Sequence, residues 1–161
     1  MEPRDVMDDA AWEALLTEVA DEALMRVMLT DREGSVLMAV GKLYPICKEI
    51  RDRPDSLTTI CSQTASAMLA QVRHTLEPVV DECEAGMLRI AVPIVREGEL
   101  VGQVTACGRV PHGGAIETFL VSRAAEIPEA EVVRMARISP FVTEPYAREV
   151  ADRIFQKVSS S

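Results

Sequence analysis

The sequence predicts an α+β fold in which helices pack on an antiparallel sheet of about five strands. Three observations point there. Apolar residues recur at helical spacing over 12–24, 57–76 and 144–158. Short apolar runs of strand length fall at 25–29, 35–40, 79–82, 87–95 and 100–107. Turn residues separate those runs, notably Thr30 to Gly34 and Glu97-Gly98. A chain of 161 residues, 48% of them hydrophobic, suits one domain with a full core.

Taken in order, Trp12, Leu15, Leu16, Val19, Ala20, Ala23 and Leu24 form one helical stripe, with Asp8 and Asp9 near its start. Met25 to Leu29 and Ser35 to Val40 read as a β-hairpin closed by Gly41. Tyr44 to Asp52 reads as a short helix stopped by Pro54. Asp55 or Ser56 is the expected cap of a long helix carrying Leu57, Ile60, Cys61, Thr64, Ala65, Met68, Leu69, Val72 and Leu76. Pro78 ends it, and Val79 to Glu82 reads as a strand. Three helices are expected after the Pro111 to Gly114 loop, over 116–126, 128–138 and 144–158.

Met87 to Val95 and Leu100 to Cys107 read as a hairpin turning at Glu97-Gly98, with Arg96 facing Glu99. A regular ladder from that turn sets Ile90 opposite Thr105 and Leu88 opposite Cys107. One face then combines Leu88, Ile90, Val92 and Ile94 with Val101, Gln103, Thr105 and Cys107. An amide, a hydroxyl and a thiol in an apolar wall suit a small-molecule pocket, so Gln103, Thr105 and Cys107 are the expected ligand contacts.

The net charge of −9, with arginines scattered and not interleaved with aromatics, argues against direct nucleic-acid binding. No apolar run is long enough to span a bilayer. The start, Met1-Glu2-Pro3-Arg4-Asp5, does not look like a signal peptide. A cytoplasmic location is therefore expected, and with it reduced cysteines.

Those cysteines, Cys47, Cys61, Cys83 and Cys107, are the main candidates for chemistry. They sit at the edges or on the buried faces of the expected core. Four thiols brought together by a fold can hold Zn²⁺ or an iron–sulfur cluster without close-spaced pairs. They can equally line a pocket, or pack as small hydrophobes. All three readings stay open on sequence alone. A Cys–His catalytic pair using His74 or His112 lacks any surrounding motif, so an enzyme is not expected. Asp81, Glu82 and Glu84 flank Cys83 and read as a solvated turn or as groups tuning a ligand. The helices at 12–24 and 144–158 are candidates for a dimer seam, or else for packing on their own sheet.

Two strands, helices, then three strands is the layout of PAS/GAF-like sensor domains. Several segments go further. Tyr44-Pro-Ile-Cys47-Lys-Glu-Ile-Arg51 resembles the "FC-x-x-I-R" opening of the PocR sensory domain. Asp55 to Cys61 resembles its next segment, which commonly closes on a cysteine. Pro78 to Met87 is similar to "P-V-x-x-C-H-A-G-L", and Ala91 to Gly102 is similar to "A-V-P-I-x-x-x-G-x-x-x-G". Cys107-Gly108-Arg109-Val110 stands where "G-G-Q-V" is common. The resemblance covers about residues 40 to 110. Glu84 replaces the usual histidine and Cys107 a usual glycine.

The resemblance implies a bacterial ligand-sensing domain for small hydrocarbon-derived molecules. One domain over 1–161 is expected, with a helical lead-in (1–24), a sensor core (25–110) and C-terminal helices (111–161). The expected mode of action is binding without turnover, of a small molecule or of a Zn or Fe-S centre held by the four cysteines; the alternative is a structural or storage metal-binding domain without signalling, and after it a cysteine-dependent enzyme. The signal would pass to a homodimer mate or to a separate protein. With no kinase or helix-turn-helix in the sequence, either a free-standing sensor or a piece of a longer chain is expected.

Overall fold

The structure, a computed structural model, describes residues 1–161. Helix α1 (Pro3–Val6) leads into α2 (Asp9–Ala23). The Asp8 carboxylate caps α2 by accepting from the Ala11 N–H at 2.8 Å. Leu24 ends it in the left-handed region at φ 55. Strands β1 (Arg26–Asp31) and β2 (Val36–Val40) follow, then α3 (Pro45–Arg51) and the one-turn α4 (Pro54–Ser56). A π-helical segment, Leu57–Ser62, runs without a break into α5 (Gln63–Thr75). Then come β3 (Val79–Glu82), β4 (Leu88–Arg96), β5 (Glu99–Pro111), α6 (Thr118–Ala125), α7 (Glu129–Ala136), β6 (Phe141–Val142) and α8 (Glu144–Ser159).

The sheet runs β2-β1-β5-β4-β3, and every pair along that path is antiparallel. The first and last hairpins of the sequence thus meet at its centre, where β1 lies along β5. Gly102 permits that meeting. A Cβ there would stand 2.4 Å from the Thr30 carbonyl oxygen.

One face of the sheet is dry. Val27, Leu29, Ile90, Val92, Ile94, Val104 and Ala106 pack against Trp12, Leu16 and Val19 of α2 and against Val150, Ile154 and Val158 of α8. The Trp12 indole N–H, inside this core, donates to the Pro3 carbonyl at 2.9 Å. The apolar stripes of both terminal helices are spent here, on their own sheet. They are not left over as a dimer seam. A second cluster, with Ile46, Ile50, Ile60, Met87, Val110, Val121 and Val132, joins α3, the π-helical segment, α6 and α7 beside the far end of β4 and β5.

Three expectations need correction. The turn does pair Arg96 with Glu99, through positive φ at both Glu97 (53) and Gly98 (79). The ladder then shifts between Ile94 and Val95, and again between Leu88 and Arg89. Thr105 therefore faces Ala91, not Ile90, and Cys107 faces Arg89, not Leu88. A bulge inserts one residue, and with a side-chain period of two this swaps faces. Second, Pro54 opens α4 at the start of the long helical run, where its missing N–H costs nothing. Ser56 caps nothing; its hydroxyl donates to the Ile50 carbonyl at 2.6 Å. Third, α1 and β6 are additional elements; β6 pairs in parallel with the end of β5.

Trp12 is fully buried. Trp12→Ala is expected to cost about 3–5 kcal/mol of stability in urea denaturation. A loss under about 1 kcal/mol would show that α2 is not part of the cooperative core.

Candidate functional site

The opposite face of the sheet is only partly covered. It presents Met28 and Thr30 of β1, Gln103, Thr105 and Cys107 of β5, and Arg89, Ala91 and Pro93 of β4, in adjacent pairs. Met68 and Val72 of α5 cover Ala91. Further along, the helix stands away from the sheet and leaves a cavity of about 300 Å³. Its floor is Met28, Thr30, Arg89 and Gln103, and its wall is Cys61, Ala65 and Leu69, one row at i, i+4 and i+8. Arg51 enters from the end of α3. Exposed Glu33, Gly34 and Val36 of the β1–β2 connection, with Ser62 and Ser66, form the mouth.

The mouth is set by two contacts. The Arg73 guanidinium donates to the Arg32 carbonyl at 2.6 Å, tying the β1–β2 turn to α5. Gly34, at φ +95, lies so near that a Cβ would stand 3.2 Å from Leu69 Cδ2.

The polar atoms of this floor lack partners within the protein. Thr30 Oγ1, Arg89 Nε and Gln103 Oε1 are buried without a hydrogen bond, as is Thr105 Oγ1 on the same sheet face outside the cavity lining. Arg89 is 7% exposed and Gln103 3%. Buried polar groups ordinarily find partners, because stranding one costs about 1–3 kcal/mol and more for a charge. None of the chain's ion pairs includes Arg51 or Arg89. Asp81 faces Arg89 across β3 and β4, but its carboxylate accepts from the Glu82 N–H at 2.8 Å.

The four cysteines meet beside this cavity. Cys47, Cys61, Cys83 and Cys107 all line one small void of about 30 Å³, with Ile50, Arg51, Ile60, Met87, Arg89 and Gly108. Each arrives by a different route. Cys47 rides on α3. The widened π-helical turn, marked by the Gln63 N–H donating to Thr58, carries Cys61. Cys83 is held at the β3–β4 turn by its N–H to the Met87 carbonyl at 2.8 Å. Cys107 sits beside the bulge at Gly108. The contacts are soft. Cys47 Sγ lies 3.4 Å from Met87 Sδ, and Arg51 reaches Cys107 Sγ at 3.8 Å.

Burial pushes the Cys47 thiol far above the ordinary range, with the neighbouring cysteines adding and Arg51 opposing. Burial likewise raises Cys61, against Arg51, and Cys83, against backbone N–H groups of Met87 and Ala85. These thiols are protonated at neutral pH. No group of three or more His, Cys, Asp or Glu side chains is arranged to hold a metal ion. The four thiols share a void, yet as arranged they do not fit a zinc or iron–sulfur centre.

Of the expected ligand contacts, Gln103 lines the larger cavity and Cys107 the smaller, while Thr105 lines neither. Asp81, Glu82 and Glu84 are exposed, as are His74 and His112, which lie outside both cavities. Arg51 and Arg89 were absent from the expected site. Scattered along the sequence, they meet only because α3 ends where the bulged start of β4 turns Arg89 inward.

The family described as the sensory domain found in PocR matches residues 5–160. The chain belongs to the PocR sensory domain family. That family match is a ligand-sensing one, and it extends the resemblance seen over residues 40 to 110 to nearly the whole chain. No curated protein matches. Among solved structures, IclR from Thermotoga maritima is 16% identical at a TM-score of 0.42, covering 98% of this PocR domain and 69% of that chain. The IclR transcriptional regulator from Alicyclobacillus acidocaldarius is 16% identical at 0.41, with 94% and 66% covered. Likenesses this distant carry no argument about the site. No helix of the domain is long and apolar enough to cross a membrane.

The raised thiols yield a stability prediction. Unfolding releases Cys47, Cys61 and Cys83 to ordinary thiol behaviour, near 9.0. Folded thiols keep their protons when unfolded ones lose them. Stability is therefore unaffected by these groups below that pH and falls as pH rises through it. Urea midpoints measured under reducing conditions across this range should decline more steeply for the wild type than for a variant with all three changed to alanine. Equal slopes would contradict the burial of the thiols.

The tether also has a readout. Arg73→Ala is expected to speed amide exchange at 31–35 while leaving exchange within β4 and β5 unchanged.

Proposed function

We propose that this PocR sensory domain binds a small molecule in the cavity between α5 and the β1–β5–β4 floor. The observation that carries the reading is the set of unpartnered buried polar atoms, Thr30 Oγ1, Arg89 Nε and Gln103 Oε1, on the floor of a cavity of about 300 Å³. That volume is at the low end for ligand pockets, which run about 300–1,000 Å³, so the ligand is metabolite-sized. Met28, Ala65 and Leu69 supply apolar wall, and Gln103 and Thr30 fix orientation.

The reading is one of binding without turnover. The thiols nearest the cavity are protonated, and neither histidine reaches it. Binding between α5 and the sheet favours whichever arrangement of α5 and the β1–β2 turn fits the ligand, and a partner protein reads that shift.

The test is a thermal-shift and NMR screen with small alcohols, diols, amides and carboxylates. A binder should raise Tm and move the amide resonances of Met28, Thr30, Cys61 and Leu69. Ala65→Trp, which fills the cavity from α5, should abolish both effects. Binding that survives Ala65→Trp places the ligand elsewhere, and a screen without any binder contradicts the reading.

A further inference from the structure

The cavity carries more charge information than its size suggests. Two guanidiniums, Arg51 and Arg89, line it, and they also line the thiol void behind it. Arg89 is buried to 7% exposure, and no carboxylate of the chain pairs with either. Arg51 has only the weak acceptor Cys107 Sγ at 3.8 Å. A buried cation without a counter-charge is among the costliest groups a fold can keep. Arginine cannot shed its proton to escape that cost. The chain does not lack carboxylates, since its net charge is −9. The nearest acids are Asp81, across the ladder from Arg89 with its carboxylate on the Glu82 N–H, and Glu33 at the mouth, paired with Arg32; neither forms an ion pair with the two guanidiniums.

We propose that the ligand is a small monocarboxylate, bound as the anion with its carboxylate on Arg51 and Arg89. This rests on the cavity being the ligand site. A planar carboxylate matches the fork of a guanidinium and supplies the missing counter-charge. The unpartnered Gln103 Oε1 on the same floor only accepts, so it suits a hydroxyl or N–H elsewhere on the ligand and not the carboxylate. Met28, Ala65 and Leu69 take the hydrocarbon part. A single acid group is favoured because the one carboxylate lining the cavity, Glu33, stands at the exposed mouth, where its Oε1 holds Arg32 at 3.0 Å. A second anionic end pointing outward would meet it. Burial raises the Cys47, Cys61 and Cys83 thiols, so none of these three competes as a thiolate for the guanidiniums.

The experiment pairs acids with their neutral amides. Monocarboxylates from acetate to octanoate, with benzoate, are titrated into the full chain at neutral pH beside the corresponding amides. Calorimetry and amide shifts at Met28, Thr30, Leu69 and Gln103 report binding. At least one acid should bind, about tenfold or more tighter than its amide. Arg89→Gln should reduce that affinity about tenfold or more. Arg51→Gln, at a half-buried position that leaves folding intact, should reduce it in the same direction. A melting curve checks that each variant is folded. An amide that binds as tightly as its acid, with both variants unaffected, overturns the carboxylate assignment and leaves the cavity reading standing. A neutral alcohol or diol that moves the cavity resonances when no acid does has the same meaning. If neither class moves them, both readings fall.

Discussion

The register of the β4–β5 hairpin is the constraint on which the rest of this structure depends. Strand side chains alternate, so each bulge reverses which residues look up and which look down. The shift next to Ile94 puts Ile90, Val92 and Ile94 with Val104 and Ala106 in the dry core under α2 and α8. The same shift turns Pro93 and Gln103 to the other side. The second shift, beside Arg89, keeps Cys107 on that side while Arg109 goes to the first, where it donates to the Ala23 carbonyl at 2.9 Å. Without the bulges, Arg89 and Gln103 would lie on opposite faces of the hairpin, and one of them would point into hydrocarbon. With them, one sheet has an oily face packed under the terminal helices and a polar face that floors the cavity.

This division explains how the chain keeps stability and sensing apart. Trp12, Leu16, Ile90, Ile94 and Ile154 bury nearly all their surface on one side. The unsatisfied atoms of Thr30, Arg89, Gln103 and Thr105 lie on the other, while on the first side the unpartnered Nε atoms of Arg109 and Arg153 sit at its margin, with Arg109 still donating to the Ala23 carbonyl. Stranded polar atoms in the first layer would subtract from the main core. In the second layer they are offset by a well-packed opposite face, and they remain available to a ligand. The cysteine void belongs to this second layer as well. Its sulfurs give a polarizable backing to two cations, with Cys47, Cys61 and Cys83 kept protonated by burial.

Much of the fold was legible in the sequence because it rests on periodicity. The stripes of α2, α5 and α8 and the runs of β1 to β5 needed only counting. The motifs around Cys47, Cys83 and Ala91 were enough to identify the family. The convergence of four distant cysteines on one void could also be anticipated, since each occupies an element edge. What could not be read were features without a local signature. A bulge changes no residue type, so Thr105 was set opposite Ile90 when it faces Ala91. The π-helical turn at Leu57–Ser62 looks like ordinary helix in sequence. Arg51 and Arg89 looked like two among many scattered arginines. Only the third dimension shows that they share a wall and that no ion pair engages either of them.

The tether across the cavity mouth sets a clock. The β1–β2 turn rests on α5 through one exposed Arg73 hydrogen bond and a close approach at Gly34. Parting those contacts disturbs neither the sheet ladder nor the α2–α8 core. Loop motions of this kind take nanoseconds to microseconds, far faster than a domain unfolds. The mouth can therefore open many times during the life of one folded molecule. On the proposed reading, the passage itself does not trap a ligand, and how long one stays is set by its contacts with the floor and wall.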